Sequence, residues 1–169
     1  PPFHLADAHT VEALDASLRQ FAAQHRPFTI EPALQTLRGF LAWRLRHGDP
    51  ARDTLHAFAD ACVREFDIFR APPAASELAR RRNAGLSPAQ ERHLQHWGYP
   101  YVFDTFTFHI TLTGKLDHVE QLACYRALEA AHAVLPPTLA IDHVALFAQA
   151  APDAAFTVAR VYRFDGRVE

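Results

Sequence analysis

The chain has 169 residues, of which 49% are hydrophobic and 21% are charged, and these proportions are typical of a globular protein with one buried core. Its net charge of −2 and pI near 6.6 give no overall attraction to nucleic acid or to an anionic membrane, so any anion site must be local. No apolar run approaches the ~18 residues of a membrane span, and the two isolated cysteines, Cys62 and Cys124, predict reduced thiols in a cytoplasmic protein.

The first third of the chain predicts a helix, two strands and a second helix. The first helix has Thr10 as its N-cap and carries an apolar stripe. Two strands follow near 28–37 and 39–46, with a bend at Gly39. A cap followed by a first-turn proline, Asp49-Pro50, then predicts the start of the second helix.

Residues 67–104 are rich in proline and arginine and predict a connector that carries its own helices. One helix is expected near 75–83. Another begins at Ser87, where S-P-A-Q supplies a capping box with a first-turn proline, and ends at Gly98. His93 and His96 share a face of this second helix, but no further ligand type accompanies them, so a solvated surface is the better interpretation than a metal site.

The remaining residues predict a strand, a helix and two more strands. Unbroken alternation of polar and apolar residues predicts a strand over 105–113. Asp117, with a glutamate three residues later, caps a helix that Pro136-Pro137 ends. The last two strands are expected near 138–148 and 155–164.

These elements repeat. The second half has the order strand, helix, strand, strand, and the first half has helix, strand, strand, with "HRPFTIEPALQTL" corresponding to "LPPTLAIDHVALF". The chain contains no methionine and begins Pro-Pro-Phe. We therefore expect the leading strand of the first copy to precede Pro1.

The strand over 105–113, within "FDTFTFHITLTG", presents four threonines and one histidine on a single face. His109 and Thr111 lie ~6.6 Å apart along such a strand, which suits a phosphate held between an imidazole and a hydroxyl. A threonine-rich face is equally typical of the solvated side of an antiparallel sheet. No G-x-G-x-x-G, G-x-x-x-x-G-K or G-x-S-x-G motif is present to suggest other chemistry.

The H-x-T stretch "FHITLTG" resembles the motif of the 2H phosphoesterase superfamily, whose members carry one such motif on each of two pseudo-symmetric β-α-β-β lobes. The segments "FRAPPAASELARRR", "GLSPAQERHLQHWGYPYVFDTFTFHITLTG" and "DHVALFAQ" are similar to the uncharacterised branch often encoded beside phosphonate-utilisation genes. The similarity runs from about Pro1 to Arg163. In that branch the first motif immediately precedes a P-P-F, so the resemblance places it upstream of this chain.

The resemblance implies an α+β fold of two antiparallel lobes around a central groove, with the first strand of the first lobe absent. It predicts one bilobal domain: an N-lobe over 1–66, a helical connector over 67–104 and a C-lobe over 105–169. It also implies a hydrolase that needs no metal and no cofactor, a phosphoesterase or cyclic phosphodiesterase that acts on a small phosphorylated metabolite.

Carried over by residue, the resemblance makes His109 a general acid or base and Thr111 a phosphate ligand, with Thr113 a further candidate ligand. Lys115 is a candidate for charge near the phosphate, against the simpler interpretation of a solvated turn lysine. Arg80 and Tyr101 on the connector are candidates for the substrate groove, although arginine runs are usually solvated and the tyrosine could simply pack on the sheet.

Two other functions remain open from the sequence. One is processing of RNA ends that carry a 2′,3′-cyclic phosphate, which the near-neutral pI disfavours. The other is a non-catalytic module that binds a phosphorylated ligand. Nucleic acid is thus a possible but not a favoured partner, and the sequence does not indicate an oligomeric state.

Overall fold

The computed structural model describes residues 8–37, 39–132, 137–151 and 154–169. Over these ranges the protein is α+β, and every pairing between its strands is antiparallel, as predicted. The helices are α1 (Ala8–Gln24), α2 (Arg52–Phe66), α3 (Ala75–Arg82), α4 (Pro88–Trp97) and α5 (His118–His132). The strands are β1 (Phe28–Ile30), β2 (Pro32–Leu37), β3 (Phe40–Leu45), β4 (His109–Thr111), β5 (Leu139–Ile141), β6 (His143–Gln149) and β7 (Phe156–Arg163).

The chain forms two compact units, and each unit takes segments from both halves of the sequence. One unit comprises the described part of Pro1–Pro27 with His56–Phe106 and Asp142–Glu169, and the other comprises Phe28–Leu55 and Thr107–Ile141. The predicted division into lobes at 1–66 and 105–169 remains a prediction. None of the described helices combines the length and the apolar character needed to cross a bilayer.

The smaller unit contains the sheet β2-β3-β4, the pair β1-β5 and helix α5, which packs on β2 and β3. Ile30 and Leu41 are fully buried in it. Asp49 is also buried. Its two carboxylate oxygens are satisfied there by hydrogen bonds from the backbone N–H groups of Glu31 (2.6 Å) and Ala51 (2.7 Å). Because α2 begins at Arg52, Asp49 lies before the helix and is not its N-cap as predicted; its carboxylate instead ties the start of β2 to the turn that precedes α2.

The larger unit packs α1 against the hairpin β6-β7. The predicted apolar stripe of α1 is confirmed in part, since Leu14, Leu18 and Phe21 are buried while Val11 is 45% exposed. The helix begins at Ala8, so Thr10 lies inside its first turn and is not the N-cap. On the polar side, Asp15 binds Arg160 and Tyr162 of β7.

The capping signals were the most reliable local predictors. Ser87 and Gln90 form the predicted capping box of α4, and Gly98 ends that helix in the left-handed conformation with φ of 68°. The Asp117 carboxylate accepts a hydrogen bond from the backbone N–H of Glu120 at the start of α5, and the Glu120 carboxylate accepts one from the backbone N–H of Asp117. Pro136, predicted to end α5, lies outside the described residues.

The strand predicted over 105–113 is much shorter in the structure, where β4 comprises only His109–Thr111. The chain instead forms a 3-10 turn over Phe103–Thr105, and Phe103 has a φ of 52°. The Thr105 hydroxyl stabilises this turn by donating to the carbonyl oxygens of Pro100 (2.7 Å) and Val102 (2.8 Å). Side-chain to backbone bonding of this kind competes with strand pairing, so Thr105 does not extend the threonine face.

The hairpins β2-β3 and β6-β7 share one hydrogen-bonding feature, through which their positions can be compared. The backbone N–H of Arg46 donates to the Glu31 carbonyl (2.8 Å) at the open end of β2-β3. The backbone N–H of Phe164 donates to the Asp142 carbonyl (2.9 Å) at the same place in β6-β7. Arg44 on β3 comes two residues before Arg46, and Tyr162 on β7 comes two residues before Phe164. Arg44 therefore corresponds to Tyr162.

Candidate functional site

His109 begins β4 and has an exposed side chain. Its Nδ1 lies 2.9 Å from the carbonyl oxygen of Thr107. A carbonyl oxygen can only accept a hydrogen bond, so Nδ1 must carry the proton and Nε2 is the nitrogen that remains available. In the neutral ring Nε2 can take a proton, and in the charged ring it can give one. The backbone thus orients His109 for acid or base chemistry at Nε2.

Thr111 is on the same face of β4 as His109, two residues along the strand, and its side chain is also exposed. It lies opposite Ala42 of β3. The small alanine side chain does not compete with Thr111 for hydrogen bonds. The structure therefore brings the predicted acid or base and the predicted phosphate ligand onto one accessible strand face.

Thr113 has a different environment, since its side chain is half-buried. Its hydroxyl oxygen accepts a hydrogen bond of 3.0 Å from the backbone N–H of Leu41. This bond continues the pairing of β3 with the chain just beyond the end of β4. Thr113 thus has a structural partner that accounts for a hydroxyl at this position.

Lys115 follows β4 in the chain, and its side chain lies against the turn between β2 and β3. Its side chain passes over Gly39, with Cγ 3.6 Å from the position that a Cβ on this glycine would occupy. Gly39 has a φ of 89°, and the backbone N–H of Leu116 donates to its carbonyl (3.0 Å). His109 pairs with Arg44, near the other end of β3. At ~3.3 Å per residue, the backbone of Arg44 is roughly 16 Å from that of Gly39. The aliphatic part of the Lys115 side chain thus packs over this turn.

Arg44, a residue not predicted from the sequence, lies directly opposite His109 in the register of β3 and β4. Residues opposite each other in an antiparallel pair are on the same face, so Arg44, His109 and Thr111 share one face. The Nε atom of Arg44 is buried and has no hydrogen-bond partner. The spacing of Phe40, Ala42 and Arg44, two residues apart, predicts that they share one face of β3. The pairing of β3 with β4 is not local in sequence, so this spacing could not place Arg44 beside His109.

Phe40 borders this face on β3. Its ring centroid is 6.2 Å from that of His109, with 47° between the ring planes. The aromatic ring of Phe40 therefore lies beside the imidazole on this face. We call the surface formed by Phe40, Arg44, His109 and Thr111 the His109 face.

The connector candidates Arg80 and Tyr101 do meet, in the larger unit. Together with Arg81, Ala84 and Pro100 they line a surface pocket of about 260 Å³. Arg81 forms an ion pair of 2.6 Å with Glu77, and its guanidinium carbon lies 4.7 Å from the ring centroid of Tyr99. The two residues predicted to share a substrate surface therefore line the same pocket.

The two connector histidines make unrelated contacts. His93 Nε2 lies 2.5 Å from an Asp104 carboxylate oxygen, and this contact lowers the pKa of Asp104. His96 packs its ring on Trp97. Over residues 8–37, 39–132, 137–151 and 154–169, no group of three or more histidine, cysteine or acidic side chains is arranged to hold a metal ion.

The hairpin β6-β7 carries its own charged cluster at the positions that correspond to the His109 face. Arg160 and Tyr162 of β7 occupy the places that Ala42 and Arg44 occupy on β3. Both donate hydrogen bonds to Asp15. In the first hairpin, by contrast, no carboxylate of the described residues pairs with Arg44.

Two curated bacterial proteins are similar to this chain. The protein of Janthinobacterium sp. (strain Marseille) named "Ribose 1,5-bisphosphate phosphokinase PhnN" is 35% identical over 174 residues, which cover 99% of this chain and 38% of that protein. The protein of the same name from Laribacter hongkongensis (strain HLHK9) is 32% identical over 163 residues, which cover 95% of this chain and 36% of that protein. The chain thus spans less than two fifths of these relatives.

No solved structure matches the chain. A family match, however, covers most of it: residues 1–157 match the family described as "Protein of unknown function (DUF1045)". On that match, the chain belongs to the DUF1045 family.

Proposed function

We propose that this chain provides half of the active site of a metal-independent phosphoesterase that hydrolyses a small phosphorylated metabolite, most simply a cyclic phosphodiester. The orientation of His109 is the observation that carries the proposal. Its Nδ1 proton is held by the Thr107 carbonyl, and its Nε2 is left for proton transfer beside the exposed hydroxyl of Thr111.

The chemistry at this face follows from the two side chains. A neutral His109 accepts a proton from the attacking water, or a charged His109 protonates the leaving oxygen, in both cases through Nε2. The Thr111 hydroxyl donates a hydrogen bond to a phosphoryl oxygen as negative charge develops on it. His109-Ile110-Thr111 is the single H-x-[ST] sequence among the 169 residues. Under the 2H resemblance, a second such motif outside them supplies the complementary proton transfer.

The relatives suggest which metabolite to test first. Their shared name specifies ribose 1,5-bisphosphate as the substrate of a phosphokinase. This chain contains no G-x-x-x-x-G-K-[ST] loop for a nucleotide, so we assign that kinase activity to the part of the relatives that this chain does not match. Hydrolysis of a 1,2-cyclic phosphate on ribose 5-phosphate gives a ribose bisphosphate, which makes this ester the leading candidate. The proposed link to phosphonate metabolism rests on the sequence resemblance.

The test is hydrolysis of cyclic phosphodiesters by the full-length natural protein that contains this chain. The His109→Ala variant should lose at least ~100-fold in kcat/KM, the usual range for removal of a general acid or base, and its circular dichroism should not change. His118→Ala is a matched control, because His118 is also exposed and lies on α5 of the same unit.

Three results would contradict the proposal. One is full activity in the His109→Ala variant, and another is complete loss of wild-type activity on addition of a metal chelator. The third is tight binding of a phosphorylated ligand without any turnover, which would favour the binding module instead. Faster turnover of RNA ends with 2′,3′-cyclic phosphates than of sugar phosphates would favour the RNA enzyme.

A further inference from the structure

We propose that Arg44 is the residue that holds the anionic group of the substrate on the His109 face. The inference rests on the proposed function for the identity of the reaction, but the anion site itself is argued from the contacts of Arg44. It adds a positively charged side chain directly beside His109 and Thr111.

The register of β3 and β4 places the two side chains close together. The backbone N–H of Leu112 donates to the Leu41 carbonyl (2.9 Å), which makes residues 41 and 112 a hydrogen-bonded pair. Such pairs alternate with non-hydrogen-bonded pairs in an antiparallel ladder, so Arg44 and His109 form a non-hydrogen-bonded pair. Side chains of these pairs are the closer ones, with Cβ atoms roughly 4.5–5.5 Å apart.

The guanidinium of Arg44 has no acidic partner among the residues that the structure describes. Its Nε is buried without a hydrogen-bond acceptor, whereas Arg46, two residues further along, forms an ion pair of 3.5 Å with Glu31. A buried donor without an acceptor is unfavourable, and such a group in a native protein usually has a water, ion or ligand as its partner. On a face that also presents His109 and Thr111, an anion is the partner that fits the positive charge of the guanidinium.

Arginine suits the phosphodiester that the proposed function requires. A guanidinium offers parallel N–H donors that match two phosphoryl oxygens, and it remains charged at every physiological pH. The Thr111 hydroxyl can then bond an oxygen of the same phosphate from the neighbouring strand, while His109 stays free for proton transfer. Arg44 neutralises the anion, so neither His109 nor a metal ion has to do so.

The experiment measures binding of inorganic phosphate and of a cyclic phosphodiester to the full-length protein and to three variants. Arg44→Met keeps the aliphatic side-chain stem and removes the guanidinium, Arg44→Lys keeps one positive charge without the paired donors, and Arg46→Met is the matched control. We expect the Kd for phosphate to rise by ~10-fold or more in Arg44→Met, to rise less in Arg44→Lys, and to stay within about 2-fold of wild type in Arg46→Met.

The outcomes separate this inference from the proposed function. If Arg44→Met and wild type bind phosphate equally well, or if wild type binds none, the role of Arg44 is wrong, even where His109→Ala abolishes hydrolysis. If Arg44→Met weakens phosphate binding but wild type hydrolyses no phosphodiester, the anion site is supported and the proposed hydrolysis is wrong. Thermal unfolding of each variant shows whether it folds. If Arg44→Met does not fold, the phosphate binding of Arg44→Lys is compared with that of wild type instead.

Discussion

Arg160 and Tyr162 donate hydrogen bonds to the same carboxylate oxygen of Asp15, at 2.5 and 2.7 Å. The other oxygen of this carboxylate accepts from Arg19, one turn along α1. These bonds, first of all the one from Arg19, lower the pKa of Asp15 from its ordinary value of 3.8 to about 2. One carboxylate therefore joins α1 to β7, and the strength of this link depends on pH.

Replacing Asp15 with Asn removes the charged acceptor of these hydrogen bonds and should lower the free energy of unfolding by about 1–2 kcal/mol at pH 7. The loss is no larger because solvent screens the half-exposed arginines. Since the pKa is lowered by folding, the ionised group stabilises the protein fully above pH ~4, and this contribution disappears as the pH falls towards 2. The difference in urea unfolding between wild type and Asp15→Asn should therefore shrink between pH 4 and 2. Glu12→Gln on the same helix is the control and should change little; a pH-independent difference for Asp15→Asn would contradict the prediction.

The buried Asp49 should be more costly to replace than an exposed helix cap. Asp49→Ala leaves the backbone N–H groups of Glu31 and Ala51 without their acceptors, and we expect a loss of about 3 kcal/mol in unfolding free energy. The exposed cap of α4 is the comparison: Ser87→Ala should cost about 1 kcal/mol. Denaturant unfolding of both variants checks this order, and an equal cost would show that burial does not strengthen the two hydrogen bonds of Asp49.

The two threonines of the H-x-T-x-T stretch should separate stability from function. Thr113→Val removes the acceptor of the Leu41 N–H, so it should destabilise the protein by about 1–3 kcal/mol. Thr111→Val changes an exposed side chain and should alter stability by less than about 0.5 kcal/mol. Under the proposed function, Thr111→Val should nevertheless reduce kcat/KM more than Thr113→Val. The reverse order of activities would move the phosphate ligand to Thr113.

Gly98 should tolerate substitution less well than Gly85, although both have a positive φ, 68° and 75°. A Cβ at Gly98 would approach Nη1 of Arg70 to 2.9 Å, while a Cβ at Gly85 would meet no atom within 4 Å. Both alanine variants pay about 1 kcal/mol for the left-handed backbone. Gly98→Ala should cost further stability because Arg70 must leave its hydrogen bond to the His96 carbonyl. Adding Arg70→Ala should remove that extra cost; if it does not, the contact is not the cause.

Local signals in the sequence predicted much of the fold. Capping residues and prolines marked α4 and the start of α5 to within one residue, because they act through bonds inside a single turn. The length of β4 was predicted poorly, because Thr105 bonds to the backbone behind it and ends the extended conformation. Alternation alone cannot distinguish these two uses of a threonine.

The candidate site was predictable only on its own strand. The positions of His109 and Thr111 on one face follow from the two-residue period of a strand. Arg44 is more than sixty positions away in sequence, and only the pairing of β3 with β4 brings it opposite His109. The role of Thr113 as an acceptor for Leu41 depends on the same long-range pairing, which no local pattern specifies.

The interleaving of both halves of the chain in each compact unit has a consequence for dissection of the protein. A cut in the exposed turn between Ala84 and Gly85 would divide the segments of both units between two fragments. Residues 1–84 would carry β3 without β4 and α1 without the hairpin β6-β7. Neither fragment should therefore fold when expressed alone, whereas the two expressed together should reassemble as a one-to-one complex. The protein is thus suited to use as a split reporter, in which recovery of the fold signals that two fragments have met.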